Sequence, residues 1–230
     1  MDKTAILQRS QAITSVFRIE EVKTPRKRAY RHGERRIIIA GVFAAIMILP
    51  IYAYGSPVLR QKAEQISPDY PGLKELIANM YETMYASNGI GLAAPQIGLP
   101  IRLFIVDGSE IDDIDPIDFK QTFINPIILE EFDDKWSFEE GCLSIPQVRE
   151  HVSRHAKLRI RYHDEQFREH EAVFGGMAAR IIQHEYDHIE GVLFTDRISP
   201  LKRNLLKGRL SNISAGRVNV SYRMKFPKSR

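Results

Sequence analysis

Between Pro71 and Ser87 the apolar residues Leu73, Leu76, Ile77, Met80 and Met84 recur at intervals of three and four. Such spacing gathers them on one face and predicts an amphipathic helix. From Gly89 to Gly98 the pattern stops. Gly89, Gly91, Pro95 and Gly98 crowd into ten residues, which predicts a loop without regular structure. Strands are expected at Ile101–Val106, Thr122–Leu129 and Leu158–Tyr162. In the last, Leu158, Ile160 and Tyr162 alternate with Arg159 and Arg161, the period of a half-buried strand. Ala172–Phe174 suggests a further short strand. A second helix is expected from about Gly176 to Glu190, with Gly191 as its stop. There is no internal repeat and no low-complexity tract.

The two ends depart from this pattern. Residues 1–46 are polar, then basic (Arg26, Lys27, Arg28, Arg31, Arg35, Arg36), then abruptly apolar from Ile37. The apolar run Ile37–Leu49 ends at Pro50, short of the roughly 20 residues that a membrane-spanning helix needs. A membrane partner is therefore not expected. Basic-then-apolar is the order of a signal peptide, but the charged part is too long for one. Charge is also unevenly placed. Residues 1–46 hold ten Lys/Arg against four Asp/Glu, and residues 201–230 hold nine Lys/Arg and no acid. With +4 on the whole chain, residues 47–200 carry −11. The basic pI of about 9.1 thus describes the ends, and the acidic body argues against a DNA-binding domain. The 230 residues, 43% of them hydrophobic, suit one globular domain. A single cysteine, Cys142, excludes an intrachain disulfide and fits a reducing, cytoplasmic setting.

Three segments carry chemistry. His184-Glu185-Tyr186-Asp187-His188 lies within the second predicted helix. Four residues turn about 400° on a helix, so the two imidazoles stack on one side and can grip one metal ion. Glu185 sits about 100° round from His184, placed to reach a water without ligating. Cys142, in Glu139-Glu140-Gly141-Cys142-Leu143-Ser144, offers a third ligand from a turn-like segment. Two histidines and a thiolate leave the fourth tetrahedral position open, the mark of a catalytic site. His151, His155, His163 and His170 remain alternatives for that third place. In Gly89-Ile90-Gly91-Leu92-Ala93-Ala94-Pro95-Gln96-Ile97-Gly98, glycines admit a substrate backbone and Gln96 offers an amide donor to a developing oxyanion.

Taken in this order, G-I-G-L-A-A-P-Q-I-G, E-G-C-L-S and Q-H-E-Y-D-H closely resemble the three signature motifs of the peptide deformylase family. The likeness starts at Met47-Ile48-Leu49-Pro50 and continues through Pro57-Val58-Leu59-Arg60 to Ile198-Ser199-Pro200-Leu201-Lys202. It implies an α+β fold with antiparallel sheets packed around a central helix carrying the H-E-x-x-H motif. It implies a catalytic domain over 47–204, an N-terminal extension over 1–46 and a basic C-terminal tail over 205–230. The extension is expected to be dispensable, with translation beginning at Met47. By the same resemblance Cys142, His184 and His188 are the metal ligands and Glu185 the general acid/base. Gln96 and the Leu143 N–H form the oxyanion hole, and Ile90, Gly91, Leu143 and Ile181 bind substrate. Arg180 stands where an apolar residue is common at the pocket floor. Glu140 and Arg154 are expected to pair and hold the cysteine turn. The metal implied is Fe(2+), with Zn(2+), Ni(2+) or Co(2+) able to substitute. The substrate implied is the N-formyl-methionyl nascent peptide, with the ribosome as a further partner through the basic tail.

Overall fold

A computed structural model describes residues 46–109 and 119–227. Its framework is a five-stranded antiparallel sheet in the order β2-β3-β4-β5-β6. The strands are β2 (Gly91–Ala93), β3 (Leu103–Asp107), β4 (Lys120–Cys142), β5 (Ile145–His163) and β6 (Glu169–Gly175). A short parallel pair joins β1 (Ile51–Tyr52) to β7 (Met224–Lys225). The helices are α1 (Leu73–Ala86), α2 (Gly176–Ile189) and α3 (Pro200–Ser214).

The strands expected at Thr122–Leu129 and Leu158–Tyr162 are parts of one long hairpin, β4–β5. Its middle shows no two-residue alternation because much of it projects beyond the core: Glu130, Glu131, Asp133, Asp134 and Lys135 are exposed. The register slips between Ile124 and Ile127, between Ile128 and Glu130, between Phe132 and Lys135, and between Gly141 and Cys142. Asn125 and Asp133 take left-handed backbone angles at the first and third slips, and Gln147 does so opposite the fourth. Short polar side chains that tolerate φ > 0 are the residues such bulges select. The segment 89–98 is also more regular than its breakers suggest. It forms the edge strand β2 followed by a 3-10 turn, Ala94–Ile97.

Three apolar clusters fix the helices. Ala178, Ala179, Ile182 and Ile189 of α2 pack on Phe104, Phe123, Leu158 and Ile160 of the sheet. Leu73, Ile77, Met80 and Met84 of α1 pack on Leu92, Leu103 and Ile105. Leu206, Leu210 and Ile213 of α3 pack on Ala53, Ile145, Val152 and Phe194. Each of the larger side chains among them (Leu, Ile, Met, Val, Phe) stabilises the fold by roughly 1.5–3 kcal/mol on leaving water. α3 opens with Ser199, whose hydroxyl accepts from the Lys202 N–H, and with Pro200 in its first turn. The fold therefore runs past residue 204. Residues 205–227, expected to be a tail from their charge and from the end of the family likeness, contribute most of a packed helix and a paired strand. Residues 1–45 lie outside the described residues.

Candidate metal centre

The site forms where the tip of the β4–β5 hairpin meets α2. β4 ends at Cys142, Leu143 and Ser144 make the turn, and Ile145 pairs back onto Cys142. The bulge just behind re-aims the tip, a recurrent use of bulges beside active sites. On α2, His184 and His188 lie one turn apart with ring centroids 5.2 Å from one another. Ligand atoms of Cys142, His184 and His188 all lie within 4.8 Å of one another, and Cys142 Sγ is 3.2 Å from His188 Nε2. His151, His155, His163 and His170 join no such group among the described residues. His155 Nδ1 bonds the Asp133 carbonyl instead, and His170 Nε2 bonds Asp164.

A buried ionic cluster supports these ligands. Arg154 donates to both oxygens of Glu140, at 2.7 and 2.9 Å, and to Asp187 at 2.9 Å. The expected Glu140–Arg154 fork is present. Glu140 also meets His184 Nδ1 at 3.0 Å, which fixes that ring and leaves its Nε2 to face the cluster. Burial works to raise the Glu140 carboxyl, but hydrogen bonds from His184 and Arg154 hold it well below the usual carboxylate range. Burial opposes charge on His184, yet the neighbouring Cys142 and Glu140 push it up to about 10. Burial and the His184 charge drive His188 well below its ordinary value. Cys142 and Glu140 thus favour positive charge on His184, and burial disfavours it on His188.

Glu185 lies beside the cluster, buried, with Oε2 lacking a hydrogen-bond partner among the described residues. Burial raises its carboxyl to about 7, against the opposing charges of His184 and Arg154. Glycine at position 91 makes room for this group: a Cβ there would collide with the Glu185 side chain, which would have to shift. Gln96 is locked by the Ala93 N–H, which donates to its Oε1 at 2.8 Å. Its Nε2 then points to Cys142 Sγ at 3.5 Å and to Ser144 Oγ at 3.3 Å.

A cavity of about 660 Å³ opens over these groups, lined by Ile90, Gly91, Leu143, Ile181 and Glu185 among others. All the residues expected at the site border it or belong to the metal cluster. Arg180 also lines it, with its guanidinium bound to Glu140 at 2.6 Å and to the Trp136 carbonyl at 2.7 Å and stacked over the Trp136 ring. Asp187, Ser144 and Tyr222 were not singled out by sequence reasoning. Asp187 lies inside the motif as an unspecified letter, and Tyr222 lies far along the chain with no local signal.

Comparison with known proteins agrees with this geometry. The family model described as polypeptide deformylase matches residues 48–204. A peptide deformylase of Christiangramia forsetii is 53% identical over 193 residues, covering 80% of this chain and 98% of that protein. One from Flavobacterium psychrophilum is 55% identical over 194 residues, covering 80% and 100%. The crystal structure of a peptide deformylase from Legionella pneumophila superposes with a TM-score of 0.66 at 33% identity, over 74% of this chain and 98% of that one. A family model that spans most of the chain and relatives matched along nearly their full length leave one conclusion: the chain belongs to the peptide deformylase family.

Proposed function

We propose that this chain removes the formyl group from the N-terminal formyl-methionine of nascent proteins, in the cytoplasm, using one divalent metal ion, Fe(2+) in the cell. The observation that carries this reading is the convergence of Cys142, His184 and His188 beside a buried Glu185 in an open cavity. The donor set fits such an ion. One sulfur and two imidazole nitrogens face one point, and three protein ligands leave room for a reacting group. When bound, the metal supplies Lewis acidity that brings the pKa of water from 15.7 towards about 7.

The protein's own groups do the rest. Glu185 takes the proton of the attacking water and hands it to the departing amine, a task that suits a carboxyl raised to about 7. Gln96 Nε2 and the Leu143 N–H receive the charge that grows on the formyl oxygen. Formate and a free methionyl N-terminus result. Strand β2 is an edge strand, so a peptide can add to its open side along Ile90 and Gly91. The methionine side chain then enters the slot walled by Ile90, Leu143 and Ile181.

Formate release from a formyl-Met peptide by iron-loaded protein, measured without oxygen, tests the activity. Glu185→Gln tests the assignment. Its metal content should stay at wild-type level while kcat falls by on the order of 10²–10⁴. Loss of the metal, or near-normal turnover, overturns the role. No described helix is long and apolar enough to cross a membrane. Arg203, Lys207 and Arg209 on the exposed side of α3 suit a contact with ribosomal RNA, which ribosome co-sedimentation at low and moderate salt would detect.

A further inference from the structure

The cavity is closed on one side by residues beyond the span that the family model matches. After α3 the chain turns back, and Asn219, Val220, Ser221 and Tyr222 line the same cavity as Leu143 and Glu185. The segment is tied at both ends. The Asn219 carbonyl accepts from Gln147 Nε2 at 2.8 Å, and Met224–Lys225 pairs with Ile51–Tyr52. Between these ties, Tyr222 donates its hydroxyl to the Leu143 carbonyl at 2.8 Å. Its ring packs against the α1 cluster.

The hairpin tip needs such outside support. Cys142 pairs with Ile145, but the next pair is Gly141 with Arg149, so Pro146, Gln147 and Val148 stand outside the regular ladder. The tip is therefore separated from the stiff part of the sheet by an irregular step. Three contacts from distant parts of the chain hold it. The Ser144 carbonyl accepts from the Tyr54 N–H at 2.8 Å, the Ser144 hydroxyl meets Gln96 Nε2 at 3.3 Å, and the Leu143 carbonyl meets Tyr222. Each contact restrains a different group of the turn, and the hydroxyl of Tyr222 restrains the residue that carries the oxyanion donor.

We propose that Tyr222 is a positioning residue for catalysis: its phenol holds the Leu143 carbonyl, and by restraining rotation about the Leu143 Cα it steadies the N–H of the adjoining Cys142–Leu143 peptide unit in its direction towards the substrate oxygen. This rests on the reading of Leu143 as an oxyanion donor. A donor aimed at charge that develops only in the transition state acts on kcat more than on substrate binding. A small misalignment of such a group is costly, although less so than its removal.

The test is Tyr222→Phe in the full chain, loaded with iron under anaerobic conditions and assayed on a formyl-Met-Ala-Ser peptide. Metal per chain and Tm are measured alongside. Lys225→Met is the comparator. It removes the 2.8 Å bond from Lys225 Nζ to the Tyr52 hydroxyl, loosening the same segment while leaving the phenol. Tyr222→Phe should lower kcat roughly tenfold, with KM within about twofold and metal content unchanged. Lys225→Met should keep kcat near wild type. An unchanged kcat per bound metal in Tyr222→Phe overturns the proposal, whatever happens to Tm. An equal loss in Lys225→Met overturns it too, because general loosening then explains the effect. A wild-type protein that releases no formate sinks the assigned chemistry and this inference with it.

Discussion

Two arginines on β5, five residues apart, each bridge two carboxylates, and the resemblance ends there. Arg154 joins Glu140 and Asp187 at 2.7–2.9 Å with its side chain 1% accessible. Arg159 joins Glu130 and Glu171 at 3.4 and 3.3 Å with its side chain 46% accessible. Water around Arg159 screens the attraction and offers the same groups other partners, so the bridge adds little. Around Arg154 the charges have left water, and each depends on the others being present. Burial alone would weaken the Arg154 guanidinium, yet Glu140 and Asp187 raise it above its ordinary value. The same ionic chemistry is a surface detail at Arg159 and a support of the site at Arg154.

The largest expected effect comes from breaking the buried set. Arg154→Met keeps similar bulk but strands the Glu140 and Asp187 carboxylates. Arg180 still reaches Glu140 and Arg197 still reaches Asp187, so the loss should lie near the lower end of about 3–5 kcal/mol. Urea unfolding of metal-free protein measures it. Removing Glu140 as well should recover part of the loss, since a double-mutant cycle then deletes both members of the pair. A cost below about 1 kcal/mol for the single change would mean that water reaches the cluster.

Next in size is Glu140→Gln. This keeps the shape and an acceptor for His184 Nδ1 but removes the charge that Arg154, Arg180 and His184 share. A carboxylate behind a ligating imidazole tunes its basicity and orientation, so metal affinity should fall about 10–100-fold. Competition against a chelator reads this directly. Unchanged affinity would assign Glu140 to the hairpin alone.

The division between these regions also marks what could be read from sequence. The helix α2 was legible because its motif obeys the helical period and Gly191, at φ 73°, stops it. Cys142 was legible as one candidate third ligand, but only family likeness chose it over His151, His155, His163 and His170, since a hairpin tip some 40 residues away carries no local sign of its target. The length of β4–β5 was hidden by its exposed acidic middle, which has no buried face to impose alternation. α3 was hidden for the opposite reason. Its buried Leu206, Leu210 and Ile213 have the right spacing, but Leu201 and Leu205 are 72% and 75% exposed and blur the stripe. Strand β2 was hidden by its glycine-rich surroundings, in which Gly91 makes room for Glu185 and Gly98 ends the 3-10 turn.

The smallest effect sharpens the comparison most. Arg159→Ala deletes two ion pairs at once, as Arg154→Met does, but from a side chain nearly half in solvent. Its partners Glu130 and Glu171 are about half exposed as well, so neither is left buried without a counter-charge. The expected change is about 0–1 kcal/mol, and it should shrink further at high salt, where exposed charges are screened. Unfolding measured at low and high ionic strength checks both points. A loss that matched Arg154→Met, or one that salt left untouched, would mean that burial is not what separates the two arginines. The difference would then have to lie in geometry: Arg154 grips Glu140 with two parallel N–H donors, and Arg159 touches each carboxylate with one.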